Sequence, residues 1–331
     1  MLQLKPAHRP LEYTASVIYL LFGTKLLSIQ ANLQLRNFKW SDIDVLQGLL
    51  NEIGRHGHRD WAAFPDHLRA ELAFPRVRPK RNIVLAEHDG QIVGYAIVEP
   101  EANIGRSVIG IGNSSMGLTI RKKLLDWATN LAAQEAPIAH LSTRDNEIEL
   151  EKLVEQLGWS KVRRYIKLTT SSNIISATAA VPDGFTVRTM LGLDEVPELT
   201  YIQNEAFKEH FGYSPNTEDE IKAHLLTGNS SPDNIVMIHD SYEQLVAYCW
   251  TLIYGREDLK IGRIGMTGVL PTARKKGLGR AIAEVGFNHL VRQNVDSIEL
   301  DVDSENAPAI HVYSSLGFEE DSEVSWWERA L

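Results

Sequence analysis

The sequence has a single cysteine, Cys249, among 331 residues. One thiol excludes an intramolecular disulfide framework and a cysteine-rich zinc site, and it is compatible with a reducing cytoplasm. Cys249 lies in the apolar, strand-like run 246–250, which favours a buried structural thiol over a nucleophile. We therefore predict a cytoplasmic protein in which Cys249 has no catalytic role.

The sequence also lacks an apolar run long enough to cross a membrane. The apolar stretch 15–29 is interrupted by Gly23, Thr24 and Lys25, whereas a spanning helix needs about 20 apolar residues. No small-residue cleavage site of a secretory leader accompanies it. We interpret residues 1–31 as an N-terminal extension, either an upstream part of the first domain or an apolar segment packed on a partner surface, and we expect no membrane partner.

Positive charge is in the minority. The 34 lysines and arginines stand against 43 aspartates and glutamates, which gives a formal net charge of -9. This balance argues against nucleic acid as a partner and suits cationic substrates. His56, His58 and Asp60 form the one metal-like cluster, and no distant ligand pattern matches it. We therefore predict no metal.

Length and internal repetition indicate two domains. A chain of 331 residues exceeds the usual size of one core, and 44% hydrophobic with 23% charged residues is ordinary for a globular protein. The same order of features occurs twice. In each half a strand and an amphipathic helix precede a hairpin, a glycine-bearing turn into a helix, another strand and another helix. Each half then reaches a Leu-Gly-aromatic helix end, at Gly158 and at Gly317, which predicts a glycine C-cap.

We predict an α/β (α+β) fold with two tandem domains, each a mixed twisted sheet flanked by helices. The first domain covers residues 32–170, and the second covers residues 183–331. Residues 171–182, in a stretch rich in Ser, Thr and Ala, form the linker.

The most informative segment is a strand, a glycine turn and a helix within residues 261–287. A helix N-terminus carries unpaired backbone N–H groups and about half a positive charge, so it suits a phosphate. Gly277 and Gly279 allow close approach, and positive charge comes from Arg274, Lys275, Lys276 and Arg280. A basic helix start with a tight turn is the structural alternative. A P-loop motif is absent, and a dinucleotide fingerprint fails at Ile282.

Two spaced motifs in the second half carry a family resemblance. The first is Arg274-x-x-Gly277-x-Gly279, and the second runs over residues 306–318 as Asn-x-x-Ala-x-x-x-Tyr-x-x-Leu-Gly-Phe. Together they resemble the acetyl-CoA signature and the following helix of the GNAT superfamily of N-acetyltransferases. The tandem arrangement and residues 204–212 resemble the mycothiol synthase-like branch.

The resemblance implies acetyl-CoA as co-substrate. Its pyrophosphate would be held by the backbone amides of Arg274, Lys275, Lys276, Gly277, Leu278, Gly279 and Arg280. Its pantetheine arm would pair with the strand at Thr267 and Val269, and Asn306 would also contact it. Tyr313 would protonate the departing CoA thiolate, which suits a phenol that keeps its proton at neutral pH. A core tyrosine is the structural alternative.

No motif in the sequence identifies the base that deprotonates the acceptor amine. Glu299, Asp301 and Asp303 alternate along the next strand and should point to one face. We select Asp303, which is nearest the loop, with a hydrated acidic edge as the alternative. Glu209 and His210 are candidates for acceptor contact, or else ordinary surface residues.

The first half departs from the motifs. Thr119 replaces the second glycine, and Val154 takes the tyrosine position, so we predict a catalytically silent domain. The bases Arg121, Lys122 and Lys123 leave cofactor retention open, with packing or substrate shaping as alternatives.

We expect direct N-acetyl transfer to a small amine or amino-acid-like acceptor. The alternatives are a protein or peptide acceptor, a non-catalytic acyl-CoA-binding or regulatory module, and an interaction scaffold.

Overall fold

The computed structural model describes residues 32–55, 68–69, 72–74, 77–114, 117–172, 181–226, 230–256 and 259–331. The strands of these residues are β1 Leu33–Asn37, β2 Ile83–His88, β3 Gln91–Glu101, β4 Arg106–Asn113, β5 Ile138–Arg144, β6 Ser160–Ser171, β7 Thr186–Thr189, β8 Ile235–His239, β9 Leu245–Arg256, β10 Leu259–Val269, β11 Ser297–Asp303 and β12 Glu319–Ala330. The helices are α1 Ile43–Arg55, α2 Pro79–Asn82, α3 Leu118–Ala132, α4 Ile148–Gln156, α5 Val196–Phe207, α6 Glu218–Leu225, α7 Leu278–Arg292 and α8 Ala307–Ser315. The predicted mixed α/β architecture is confirmed.

Three sequence predictions fall on residues that the structure does not describe. They are the N-terminal extension 1–31, the cluster at 56–60 and most of the linker 171–182, of which 173–180 are not described. Among the helices of the described ranges, none is both long and apolar enough to span a membrane.

The strands form one sheet in which the two halves exchange their last strands. The order is β1-β2-β3-β4-β5-β12-β6-β11-β10-β9-β8-β7. β12, from the second half, pairs with β5 of the first half, and β6 of the first half pairs with β11 of the second. β6 and β12 also pair with each other. The predicted domain boundary at 171–182 therefore stays a prediction. It divides the chain in sequence, but in the folded sheet β6 and β12 each pair with a strand of the other half.

The predicted repeat is visible in the helix ends. Gly158 and Gly317 have left-handed backbones with φ of 83° and 84°. The next N–H in each half bonds back into the helix, from Trp159 to the Val154 carbonyl and from Phe318 to the Tyr313 carbonyl, both at 3.1 Å. These are the glycine C-caps that the sequence predicts.

Close packing of α7 on β9 fixes the helix that begins at the glycine turn. Gly286 lies within α7 against Cys249, which is free and fully buried. A Cβ at position 286 would lie 3.1 Å from the Cys249 Cβ and would collide with its Sγ. The glycine therefore sets the distance between helix and sheet, and Cys249 is buried, as the apolar run around it predicts.

We expect Gly286→Ala to destabilise the fold although alanine favours helix. The helix-propensity gain is about 1 kcal/mol, whereas overpacking a dense core costs about 1–3 kcal/mol. Urea unfolding should therefore give a lower free energy of unfolding for the variant. In a Cys249→Ala background the sulfur is gone, so the same glycine change should cost less than half as much. An equal cost in both backgrounds would show that Cys249 does not set the packing distance.

Candidate active site

The site begins where two parallel strands separate. β10 and β11 pair at Ile261/Ser297, Gly262/Ile298 and Arg263/Glu299, and the register goes no further. Arg263 Nη1 binds Glu299 Oε1 at 2.7 Å, and Lys167 Nζ of β6 binds Glu299 Oε2 at 2.8 Å. These ion pairs hold the strands together at the point where they begin to diverge.

A cavity of about 320 Å³ opens beyond this point. The strands β10 and β11 line it from Ile264 to Thr267 and from Leu300 to Asp303, and α5 with its following loop closes another side. Asn306 and Tyr313 also line it. Of the residues predicted on β10, Thr267 reaches the cavity, whereas Val269 ends the strand outside its lining.

The glycine turn leaves the start of α7 uncapped. Lys275 and Gly277 both have left-handed backbones, with φ of 65° and 80°, and no side chain caps the helix. The first helical bond in this turn runs from the Ala281 N–H to the Gly277 carbonyl at 3.1 Å. The N–H groups of Leu278 and Gly279 therefore have no helical partner. A Cβ built on Gly279 meets nothing within 4 Å, so the surface above this backbone is open.

The basic side chains of the turn differ in their hydrogen-bond and ion-pair partners. Arg274 turns toward the end of α5, donating from Nη2 to the Ala206 carbonyl at 3.0 Å and lying 3.6 Å from Glu209. Arg280 is held by Glu284, one helical turn further on, at 2.6 Å. Lys275 and Lys276 are exposed and make no ion pair with the described residues. These two charges are available to an anion at the helix start.

Tyr313 is buried beside Thr267. Its hydroxyl donates to Thr267 Oγ1 at 3.2 Å, and Thr267 Oγ1 lies 3.8 Å from Cys249 Sγ. Burial raises the pKa of the Tyr313 phenol to about 12 and the pKa of the Cys249 thiol to about 12. Tyr313 thus keeps its proton over the whole neutral range and faces the cavity.

The side chain of Asn306 accepts a hydrogen bond from the first turn of its own helix. Its side-chain oxygen accepts from the Ala309 N–H at 3.2 Å and so caps α8. This cap fixes the start of the helix that carries Tyr313. The side chain still lines the cavity, so its predicted contact with a cofactor stays a prediction.

Asp303 lies in the cavity with both carboxylate oxygens engaged. Oδ2 accepts from Arg163 Nε at 2.9 Å, and Oδ1 accepts from the Glu305 N–H at 3.0 Å. Asp303 is only 7% exposed, and Glu299 is 5% exposed. The alternative of a hydrated acidic edge is therefore wrong for these two residues, because they are buried in ion pairs. The role of Asp303 as base stays a prediction.

The first half contributes to this cavity through the exchanged strand β6 and through the end of β3. Tyr165 of β6 and Glu101 of β3 line it, and Arg163 lies 5.6 Å from the Phe211 ring. The sequence motifs predicted none of these residues. The alternation along β6 indicates that Arg163 and Tyr165 share a face, but no local signal shows that β6 lies beside β11 or that Glu101 of β3 reaches the same cavity.

The equivalent turn of the first half is short. β4 and α3 are joined by residues 114–117 only, whereas residues 270–277 join β10 and α7. Val154, at the tyrosine position, is fully buried. The bases near the start of α3 are used locally, in contacts of Arg121 with Asn113, Lys122 with Asp126 and Lys123 with the Leu33 carbonyl. In the first half the connection between strand and helix is thus shorter in sequence, and a valine stands at the position of the phenol.

Sequence comparisons match the second half of the chain to a known protein family. The profile of the Acetyltransferase (GNAT) family matches residues 196–318. The chain is 25% identical to a mycothiol acetyltransferase of Nocardia farcinica over 240 residues, which cover 71% of this chain and 78% of that protein. It is 27% identical to a mycothiol acetyltransferase of Segniliparus rotundus over 247 residues, which cover 72% and 91%.

Solved structures share the whole architecture. A GCN5-related N-acetyltransferase from Sphaerobacter thermophilus superposes with a TM-score of 0.70 at 18% identity, covering 90% of this chain and 95% of that one. A tandem GNAT protein from the clavulanic acid biosynthesis pathway gives a TM-score of 0.70 at 13% identity, covering 90% and 98%. At these identities the likeness concerns the fold.

The sequence comparisons indicate an acetyltransferase of the GNAT type. Residues 196–318 match the GNAT acetyltransferase family, and about 70% of the chain aligns with mycothiol acetyltransferases. The tandem GNAT neighbour shares the fold of both halves. The predicted family and the tandem duplication are confirmed. Among the described residues, no group of three or more His, Cys, Asp or Glu side chains is placed to hold a metal ion.

Proposed function

We propose that this protein transfers the acetyl group of acetyl-CoA directly to the amine of a small molecule. One observation carries the proposal. The buried Tyr313 hydroxyl lies on Thr267 inside the gap between β10 and β11, and the same β10 leads into the open, uncapped start of α7. A thioester reaching from that helix start into the gap would end at a proton donor.

The helix start fits the pyrophosphate. The free N–H groups of Leu278 and Gly279 lie in the same turn as the exposed Lys275 and Lys276, and the open space over Gly279 admits an anion. The pantetheine arm would then follow β10 past Thr267. Only residues 114–117 precede α3, against residues 270–277 before α7, which supports a single strong site per chain.

The proton affinity of the thiolate decides whether Tyr313 can act as the acid. A phenol with a pKa of about 12 protonates an ordinary thiolate of pKa about 8.5 only at a cost on the order of 5 kcal/mol. Cys249 shows what this environment does to a thiol, because burial raises its pKa to about 12 within 3.8 Å of the same Thr267 hydroxyl. If burial beside Thr267 raises the pKa of the CoA thiol in the same way, its pKa approaches that of the Tyr313 phenol. Transfer of the proton from the phenol to the thiolate then costs little free energy.

The proposed acceptor is a small molecule. The cavity of about 320 Å³ suits a small molecule, and the relatives named mycothiol acetyltransferases support the same class of acceptor. Proton removal from the acceptor has two candidates in the cavity, Asp303 and His210.

A screen of amine acceptors with detection of the free CoA thiol tests the proposal. We expect CoA release that depends on a primary amine, with small amines or amino-acid-like compounds as acceptors. Release with peptides alone would point to a protein acetyltransferase. Acetyl-CoA binding without release for any amine would point to a binding module, and no binding at all would point to a scaffold.

A further inference from the structure

Three carboxylates line the cavity, and each is bound by an arginine. Glu101 is held by Arg106, which flanks the turn between β3 and β4, and Asp301 is held by Arg263 of β10. Asp303 is held by Arg163 of β6 at 2.9 Å, with its second oxygen on the Glu305 N–H. Lone pairs that already accept bonds from a guanidinium are poorly placed to take a proton from a substrate.

His210 differs from these groups in that its ring is free. Neither ring nitrogen has a hydrogen bond or an ion pair with the described residues. The backbone is nevertheless fixed, because the His210 N–H donates to the Phe207 carbonyl at 2.8 Å and its carbonyl accepts from the Tyr213 N–H at 3.1 Å. The ring lies 4.8 Å from the Phe207 ring, at the exposed rim of the cavity.

The surroundings keep this imidazole neutral at pH 7. Desolvation and the Arg274 guanidinium lower the pKa of His210 from its usual 6.5, Arg163 acts in the same direction, and Asp303 and Glu209 oppose them. A neutral imidazole has a lone pair to offer, and it would be protonated only as the pH falls through this lowered pKa.

We propose that His210 is the general base, the group that takes the proton from the acceptor's ammonium. The inference rests on the proposed function. The ammonium gives one proton to an imidazole nitrogen of His210, which passes it to solvent, and the free amine forms a bond to the acetyl carbonyl carbon. The C–S bond then breaks, and the sulfur takes the Tyr313 proton. The second proton lost by the nitrogen restores Tyr313, so one proton is released for each turnover.

The dependence of kcat on pH tests this assignment with one amine that the wild type acetylates. The wild-type kcat should rise with pH to a plateau reached by about pH 7, because the pKa of His210 lies below 6.5. His210→Gln should lower kcat at pH 7 about ten-fold, a modest effect for a general base because water reaches the exposed rim. The kcat of this variant should keep rising with pH up to the pKa of the amine, because more of the acceptor is then already deprotonated. The difference from the wild type should therefore shrink at high pH.

The controls separate the outcomes. His88→Gln, in the distant β2–β3 hairpin, should keep the wild-type profile, and added imidazole should restore part of the activity of His210→Ala. If the rise of kcat on the acid side of the pH profile is the same in His210→Gln as in the wild type, the assignment is wrong. The assignment is also wrong if Asp303→Asn abolishes this rise of kcat while His210→Gln retains it. A wild type that releases no CoA with any amine overturns the proposed function and this inference together.

Discussion

Tyr313→Phe is expected to lower kcat about 100-fold while acetyl-CoA affinity changes by no more than a few-fold. General acids contribute about 100- to 10,000-fold, and a thiolate is a tolerable leaving group, which favours the lower end. The ring and its edge contact with Phe318, at 5.7 Å between centroids, are kept by phenylalanine. Binding and chemistry should therefore separate in a comparison of calorimetric affinity with steady-state kcat.

Tyr248→Phe is the matched control. It also removes a buried phenol hydroxyl, one that lies 3.7 Å from Met266 Sδ and donates to no group of the proposed reaction. We expect its kcat to stay within a few-fold of the wild type. Equal losses in the two variants would assign the effect to packing, and wild-type turnover by Tyr313→Phe would show that solvent supplies the proton.

The pH dependence gives a second readout for Tyr313. Its pKa is raised by burial to about 12, so the proton is present below that pH and is lost only as the pH rises through it. Activity on the alkaline side should therefore show no fall that belongs to this group below about pH 11. A fall near pH 10 that disappears in Tyr313→Phe would mean that the phenol is far less buried than its environment indicates.

Local spacing predicted the parts of the site that lie within one stretch of chain. The turn from Arg274 to Arg280 and the helix with Tyr313 were recognisable because glycine positions and helix stops depend on neighbours in sequence. The geometry at Gly277 and Gly317 confirms those local predictions, since both have left-handed backbones. Which groups these elements bind stays a proposal.

The exchange of β6 and β12 was not predictable in the same way. Each strand alternates like an ordinary sheet strand, and alternation fixes the face of a side chain but not the neighbouring strand. Asp303 illustrates the consequence, because its partner Arg163 lies on β6 and is 140 positions away. A carboxylate that looked free in sequence is thus engaged by the other half, whereas His210, which looked like a surface residue, lies free at the cavity rim.

Gly279→Glu is expected to abolish strong acetyl-CoA binding without destabilising the fold. The second residue of α7 has open space for a side chain, and a carboxylate in the first turn of a helix is favourable for the helix itself. The same charge would occupy the phosphate position and repel the pyrophosphate. Loss of two charge-assisted bonds, each worth about 1.5–3 kcal/mol, corresponds to a fall in affinity of at least about 100-fold.

Thr119→Glu places the same charge at the second residue of α3, the corresponding helix of the first half. Because the turn before that helix is short, we expect wild-type affinity and one site per chain in calorimetric titration with acetyl-CoA. Two sites of equal affinity in the wild type would contradict the silent first half. If Gly279→Glu binds like the wild type while both variants unfold normally, the pyrophosphate does not lie at the start of α7. The assignment of the cofactor site would then have to move elsewhere along the gap between β10 and β11.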